Sequence, residues 1–174
     1  MPNHVTHKII FNADRAPNVF GVCCPNGKMD FATLVPPPPH IYQGDLSDID
    51  EADFKCNWLS WNRENWGTKW NAYDSKCGVE DDKAAIKFDT AWSVPYPILA
   101  AFANKFGIAF EHRYFDEGFN FWGIEIWQVI DGCCFRVSKR LSHADDRIPL
   151  CVELKGYAPD DSDDDELEEE STNE

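Results

Sequence analysis

The 174-residue chain contains no apolar run near the roughly 18 residues that a membrane helix needs. Its first residues, Met1-Pro2-Asn3-His4-Val5-Thr6, hold no basic region followed by an apolar one, so no leader peptide is expected either. Positive charge is scarce: 16 Lys plus Arg stand against 31 Asp plus Glu, a formal charge of −15. General binders of double-stranded DNA or of membrane surfaces work through basic patches, so this balance argues against both. None of the seven cysteines stands in the C-x-x-C spacing of a zinc ribbon or a dithiol redox site. There is no P-loop, no nucleophile elbow and no H-E-x-x-H. No catalytic residue, metal or cofactor is therefore expected.

The chain does have 43% apolar and 14% aromatic residues, enough for a real core in one domain with a small appendage. Charge is unevenly placed. From Asp160 to Glu174 there are ten acidic residues and no basic one, which leaves only −5 on the body. Such a run repels itself and buries nothing, so residues 160–174 are expected to form a disordered acidic tail.

Val5 to Phe11 is β-branched and apolar and predicts a first strand. Residues 16–24 fit a short helix or an irregular segment before the turn Pro25-Asn26-Gly27. Pro36 to Pro39 fix a polyproline II connector lying on its own domain. From Asp53 the spacing turns helical, with Phe54, Trp58 and Trp61 on one face and a stop at Gly67. Strands are expected at 69–76 and 84–92, then a helix with Ile98, Phe102 and Phe106 inward, ending at Gly107. Two further strands, 108–115 and 119–130, precede Asp131-Gly132, a strong hairpin signal leading into 133–137. A last helix or strand is expected within 145–155. Connections this short make the sheet mostly antiparallel, an α+β sandwich of the ferredoxin-like type with helices on one face. The expected divisions are an N-terminal strand and connector at 1–52, the main domain at 53–159 and the tail.

The segment Asn57-Trp58-Leu59-Ser60-Trp61-Asn62-Arg63-Glu64-Asn65-Trp66-Gly67-Thr68-Lys69-Trp70-Asn71-Ala72-Tyr73 resembles the signature of the YubB-like family of phage- and plasmid-borne proteins. The opening Met1 to Thr6, the junction Phe88 to Pro95, and the hairpin Tyr114 to Gly118 with Phe121-Trp122-Gly123 are similar to that family in the same order. The resemblance spans about residues 1–130 and implies a ferredoxin-like domain of mobile-element origin; with unpaired cysteines and neither leader nor membrane span expected, the expected address is the reduced cytoplasm of a bacterial host. It implies no catalytic mechanism.

Trp58, Trp61, Trp66 and Trp70 lie among asparagines, Arg63 and Lys69. Rings that stack bases beside cations that follow phosphates make a single-stranded nucleic-acid platform. The same tryptophans also fit a helix packed on a sheet, each indole N–H finding a partner. Asn65, Trp66, Lys69, Trp70 and Tyr73 are the binding candidates in that segment. In the tail, Asp163, Asp164, Asp165, Glu168, Glu169 and Glu170 are candidates for docking a basic partner or imitating phosphates. The pairs Asp81-Asp82, Asp116-Glu117 and Asp145-Asp146 are expected as solvated acids at turns. Cys23-Cys24 and Cys133-Cys134 are each expected to bury one thiol and expose the other. His4 and His7, three apart on a strand, face opposite ways, which counts against a shared metal. Two functions follow as expectations. One is a non-enzymatic protein that binds a host protein with a basic surface and inhibits a nucleic-acid-processing or defence system. The other is a binding module for single-stranded nucleic acid or a small ligand.

Overall fold

Alternation decides the first element. Val5, His7, Ile9 and Phe11 point one way and Thr6, Lys8 and Ile10 the other, giving β1 (His4–Asn12) two distinct faces. The computed structural model describes residues 3–47, 56–141 and 144–158. Beyond β1 come α1 (Ala16–Cys23), α2 (Trp58–Asn65), β2 (Tyr73–Glu80), β3 (Lys83–Ala91), α3 (Tyr96–Phe106), β4 (Phe110–Asp116), β5 (Trp122–Ile130), β6 (Cys133–Leu141) and α4 (Ala144–Lys155).

The sheet runs β2-β3-β1-β4-β5-β6, and every pairing is antiparallel. The first four strands with their intervening helices have the β-α-β-β-α-β order of a ferredoxin-like domain. β5 and β6 extend it as a hairpin closed at Asp131-Gly132, both in the left-handed region as the dipeptide demands. Because β1 lies between β3 and β4, the expected division at residue 52 separates no independent piece. The N-terminal strand is the middle of the sheet.

One face packs against α1, α2 and α3. α3 begins with Pro97 in its first turn and ends at Gly107 in the left-handed conformation, and it buries Ile98, Leu99, Phe102, Ala103 and Phe106. Each of the four larger side chains, Ile98, Leu99, Phe102 and Phe106, contributes about 1.5–3 kcal/mol by leaving water. The expectation of helices on a single face holds for these three. α4 departs from it: Leu150, Cys151 and Leu154 pack on Phe115, Phe119, Trp122 and Ile124 of the opposite face. No described helix is long and apolar enough to cross a membrane.

Several local expectations need correction. Residues 53–55 lie outside the described residues, and α2 begins at Trp58 with Asn57 as its cap, the carboxamide oxygen accepting from Ser60 N. Its inward stripe is Leu59, Asn62 and Trp66, while Trp58 and Trp61 are half-buried. β2 starts at Tyr73 rather than residue 69. Cys23 and Cys24 are both buried, since they end a helix and do not lie along a strand. Asp116 is buried, its Oδ2 accepting from Asn120, and Glu117 accepts from His4 N at 2.6 Å. Asp145 and Asp146 belong to the first turn of α4.

Candidate binding site

The loop from Trp66 to Ala72 must return from α2 to β2; two polar contacts tie it to the end of β3 and a third ties it to α2. Thr68 Oγ1 donates to Ala91 O at 3.0 Å, Ser93 Oγ donates to Gly67 O at 2.6 Å, and Asn62 Nδ2 holds Lys69 O at 2.9 Å. Gly67 has φ +78°, and a Cβ there would meet Pro97 Cδ at 2.9 Å, so only glycine fits. The tryptophan segment and the junction 88–95, separate in sequence, are thus one surface.

That surface presents aromatic rings. Trp70 and Trp92 are 36% and 45% exposed, their centroids 6.4 Å apart and their planes within 26°. Lys69 Nζ lies 5.1 Å from one ring centroid and 5.2 Å from the other, a double cation–π contact. Tyr73 meets Trp70 edge-on and accepts or donates to His4 Nδ1 at 2.7 Å. Trp92 has φ +66°, which a bulky residue adopts only under constraint, and its N–H bonds Asn3 O at 3.0 Å. Beside it a shallow depression of about 360 Å³ is lined by Trp92, Ser93, Val94, Tyr96, Tyr114 and Phe121. Burial and then the carboxylates of Asp89, Glu117 and Asp74 push the Tyr73 phenol up, so this ground is acidic.

Under the depression a chain of polar groups crosses the sheet. Thr90 Oγ1 donates to Ser93 O at 2.7 Å, so it accepts from His7 Nε2 at 2.8 Å. His7 Nδ1 is 3.1 Å from His112 Nε2, and His112 Nδ1 faces Glu125 Oε2 at 3.6 Å, too far for a hydrogen bond. Glu125 Oε1 accepts from Tyr96 Oη at 2.9 Å and from the Arg136 guanidinium at 3.2 Å. Thr90, His7, His112 and Glu125 are fully buried. Burial, then the charge of His112 and of Lys155, hold His7 well below the ordinary histidine value. Burial also lowers His112, against the opposing pull of Glu125. For Glu125 burial pushes upward, but His112, Tyr96 and Arg136 outweigh it and keep the carboxyl low. With His7 neutral, its Nδ1 takes the His112 Nε2 proton. That leaves His112 Nδ1 and Glu125 Oε2 facing each other without a shared proton, and both atoms lack partners.

A family model described as a ferredoxin-like domain in Api92-like protein matches residues 65–132. This chain carries a ferredoxin-like domain. The matched stretch runs from the end of α2 through β5 and includes Trp70, Trp92, His112 and Glu125, but it leaves out β1 and with it His7. No curated protein and no solved structure matches.

Of the residues expected to bind, Lys69, Trp70 and Tyr73 come together on the surface. Trp66 does not join them. It is 6% exposed, its indole N–H donates to Val35 O at 2.8 Å and its ring packs edge-on to Phe31. Asn65 turns back on α2, donating to Trp61 O. Asp163, Asp164, Asp165, Glu168, Glu169 and Glu170 lie outside the described residues. Sequence reasoning missed Trp92, which sits in the quoted junction but outside the tryptophan cluster. It also missed the chain His7–His112–Glu125, because adjacency across strands depends on register. Among the described residues no group of three His, Cys, Asp or Glu side chains is arranged to hold a metal. The adjoining Cys23 thiol chiefly pushes Cys24 up to about 12, which leaves it a poor nucleophile.

Proposed function

We propose that this chain is a non-enzymatic interaction protein of the phage- or plasmid-borne type, docking on a protein of its bacterial host in the cytoplasm. The observation that carries this reading is the exposed Trp70, Trp92, Tyr73 and Lys69 patch beside a shallow depression. Exposed tryptophan and tyrosine held rigidly by a surrounding fold are the usual anchors of protein interfaces. The carboxylates around Tyr73 and the chain's −15 charge suit a partner with a basic rim. In the sharper form of the proposal, the acidic residues of 160–174 occupy Lys and Arg sites built for a nucleic-acid backbone. The partner is then a nucleic-acid-processing or defence protein, and docking inhibits it.

A second reading, single-stranded nucleic acid or a small ligand on the same patch, is favoured by the near-parallel indoles and the lysine between them. One cation among several carboxylates is weak ground for a phosphate chain, so this reading ranks second.

The test is a pull-down from bacterial host lysate with the full chain, a Trp70→Ala/Trp92→Ala chain and one ending at Pro159. A basic protein retained by the full chain should be lost with the double substitution, at a cost of about 2 kcal/mol or roughly 30-fold per anchor. Equal recovery by both chains refutes the docking patch. Short DNA and RNA oligonucleotides that quench tryptophan fluorescence at low salt, and less so in Trp70→Ala, would instead establish the second reading.

A further inference from the structure

The sheet face that α4 only partly covers carries a row of cations. Lys76 of β2 lies opposite Lys87 of β3, Lys87 opposite Lys8 of β1, and Lys8 opposite Arg113 of β4. Four positive side chains stand on four adjacent strands, each about 4.8 Å from the next. Like charges directly opposite one another destabilise a sheet, so the row calls for anions.

At one end the fold supplies them. Glu153 of α4 gives Oε1 to Lys8 at 2.7 Å and Oε2 to Arg113, which also binds Glu111. One carboxylate thus bridges two neighbouring members of the row. The next step, Lys87 with Lys76, has the same spacing and no carboxylate partner among the described residues. Both lysines line the same trough of about 1270 Å³ as Lys8, Arg113 and Glu153. Of the acids at its far end, Glu80 closes β2 and Asp81 and Asp82 form the β2–β3 turn, where Asp82 lies 3.6 Å from Lys83.

The course of α4 indicates the occupant. The helix starts over β5, where Arg147 covers Trp122, crosses Phe115 of β4, and ends over β1, where Lys155 Nζ donates to His4 O. It heads toward β3 and β2. Five residues beyond Lys155 begins Asp160-Asp161-Ser162-Asp163-Asp164-Asp165-Glu166. Five residues reach at most about 17 Å, and Lys76 lies two strands from Lys8, about 10 Å.

We propose that residues 160–166 of this same chain dock on Lys87 and Lys76, continuing across β3 and β2 the bridging that Glu153 makes across β1 and β4. Covalent attachment gives the segment a local concentration in the millimolar range, far above any free acidic peptide. A basic partner must then draw the acidic segment off its own sheet before binding it.

Zero-length carbodiimide coupling of the full chain tests this, since it joins only carboxylates and lysine amines already in contact. Mass spectrometry should find Lys87 and Lys76 joined to residues 160–166, beside the internal control Lys8–Glu153. The new cross-links should fall several-fold at about 0.5 M salt, where the Debye length is roughly 4 Å. In a mixture of ¹⁵N-labelled and unlabelled chains, every such link should join equal isotopes. The Lys8–Glu153 link alone, with neither lysine joined to the segment, overturns the proposal. Mixed-isotope links overturn it equally, making the occupant a second copy.

Discussion

Acidification should weaken this fold through two buried histidines, and the size of the effect follows from their contacts. His7 and His112 are neutral in the folded chain, because burial holds both below the ordinary value near 6.5 that they regain on unfolding. A group whose folded pKa is depressed stabilises above its unfolded value, and that contribution is lost as pH falls. Below about pH 6.5 the unfolded chain binds protons the folded chain refuses, and stability falls by about 1.4 kcal/mol per pH unit for each such proton. Between pH 7 and pH 5 one histidine that stays neutral costs about 2 kcal/mol, and two cost about 4. Urea unfolding at half-unit pH steps measures this. The comparison chain is His7→Gln, which retains a hydrogen-bonding side chain between Thr90 and His112. It should lose one proton's worth of slope, and the difference between the two chains cancels the relief of the general negative charge. If stability difference between them does not change from pH 7 to pH 5, His7 is not the neutral buried base described here. If wild-type stability rises over that range relative to the His7→Gln chain, folded His7 itself takes up the proton, and the hydrogen-bond directions assigned above are wrong.

Trp66→Ala removes a core ring and strands Val35 O, so it should cost about 3–5 kcal/mol in denaturant unfolding, while a loss below 1 kcal/mol would put Trp66 outside the core. At Trp92 the backbone is left-handed, which costs a side-chain-bearing residue roughly 1–2 kcal/mol. Trp92→Gly should therefore be the more stable of the pair Trp92→Gly and Trp92→Ala. The reverse order in thermal midpoint would show that the turn carries no strain.

Much of the architecture was legible because alternation in 5–11, 84–90 and 110–115 and the 3.6-residue spacing of Ile98, Phe102 and Phe106 are local signals. The Asp131-Gly132 turn is another. α2 was misread by about one residue, or 100° of helix rotation, since an apolar stripe was sought and the true one contains Asn62. That asparagine is inside because it holds Lys69 O, a contact no hydropathy pattern encodes. The face taken by α4 was hidden for a similar reason: Lys8, Arg113 and Glu153 look like solvated charges until register places them together. The surface patch was half legible. Lys69, Trp70 and Tyr73 were named from one segment, but Trp92 joins them only because Thr68 and Ser93 lock two distant loops. His7, His112 and Glu125 read as ordinary members of three strands. Their meeting is a property of the sheet.

The middle position of β1 also sets a timetable. His7 and His112 are 105 residues apart, and β1 has its neighbours in strands made long after it. A ribosome adding about 5–20 residues per second delivers β4 roughly 5–20 s after β1. β3 arrives first, roughly 80 residues after β1; until then β1 has neither neighbour, and until β4 follows its other edge stays open. Contacts this distant slow folding of the finished chain as well. A nascent chain of this design would be exposed to aggregation and to holding chaperones at its very first strand.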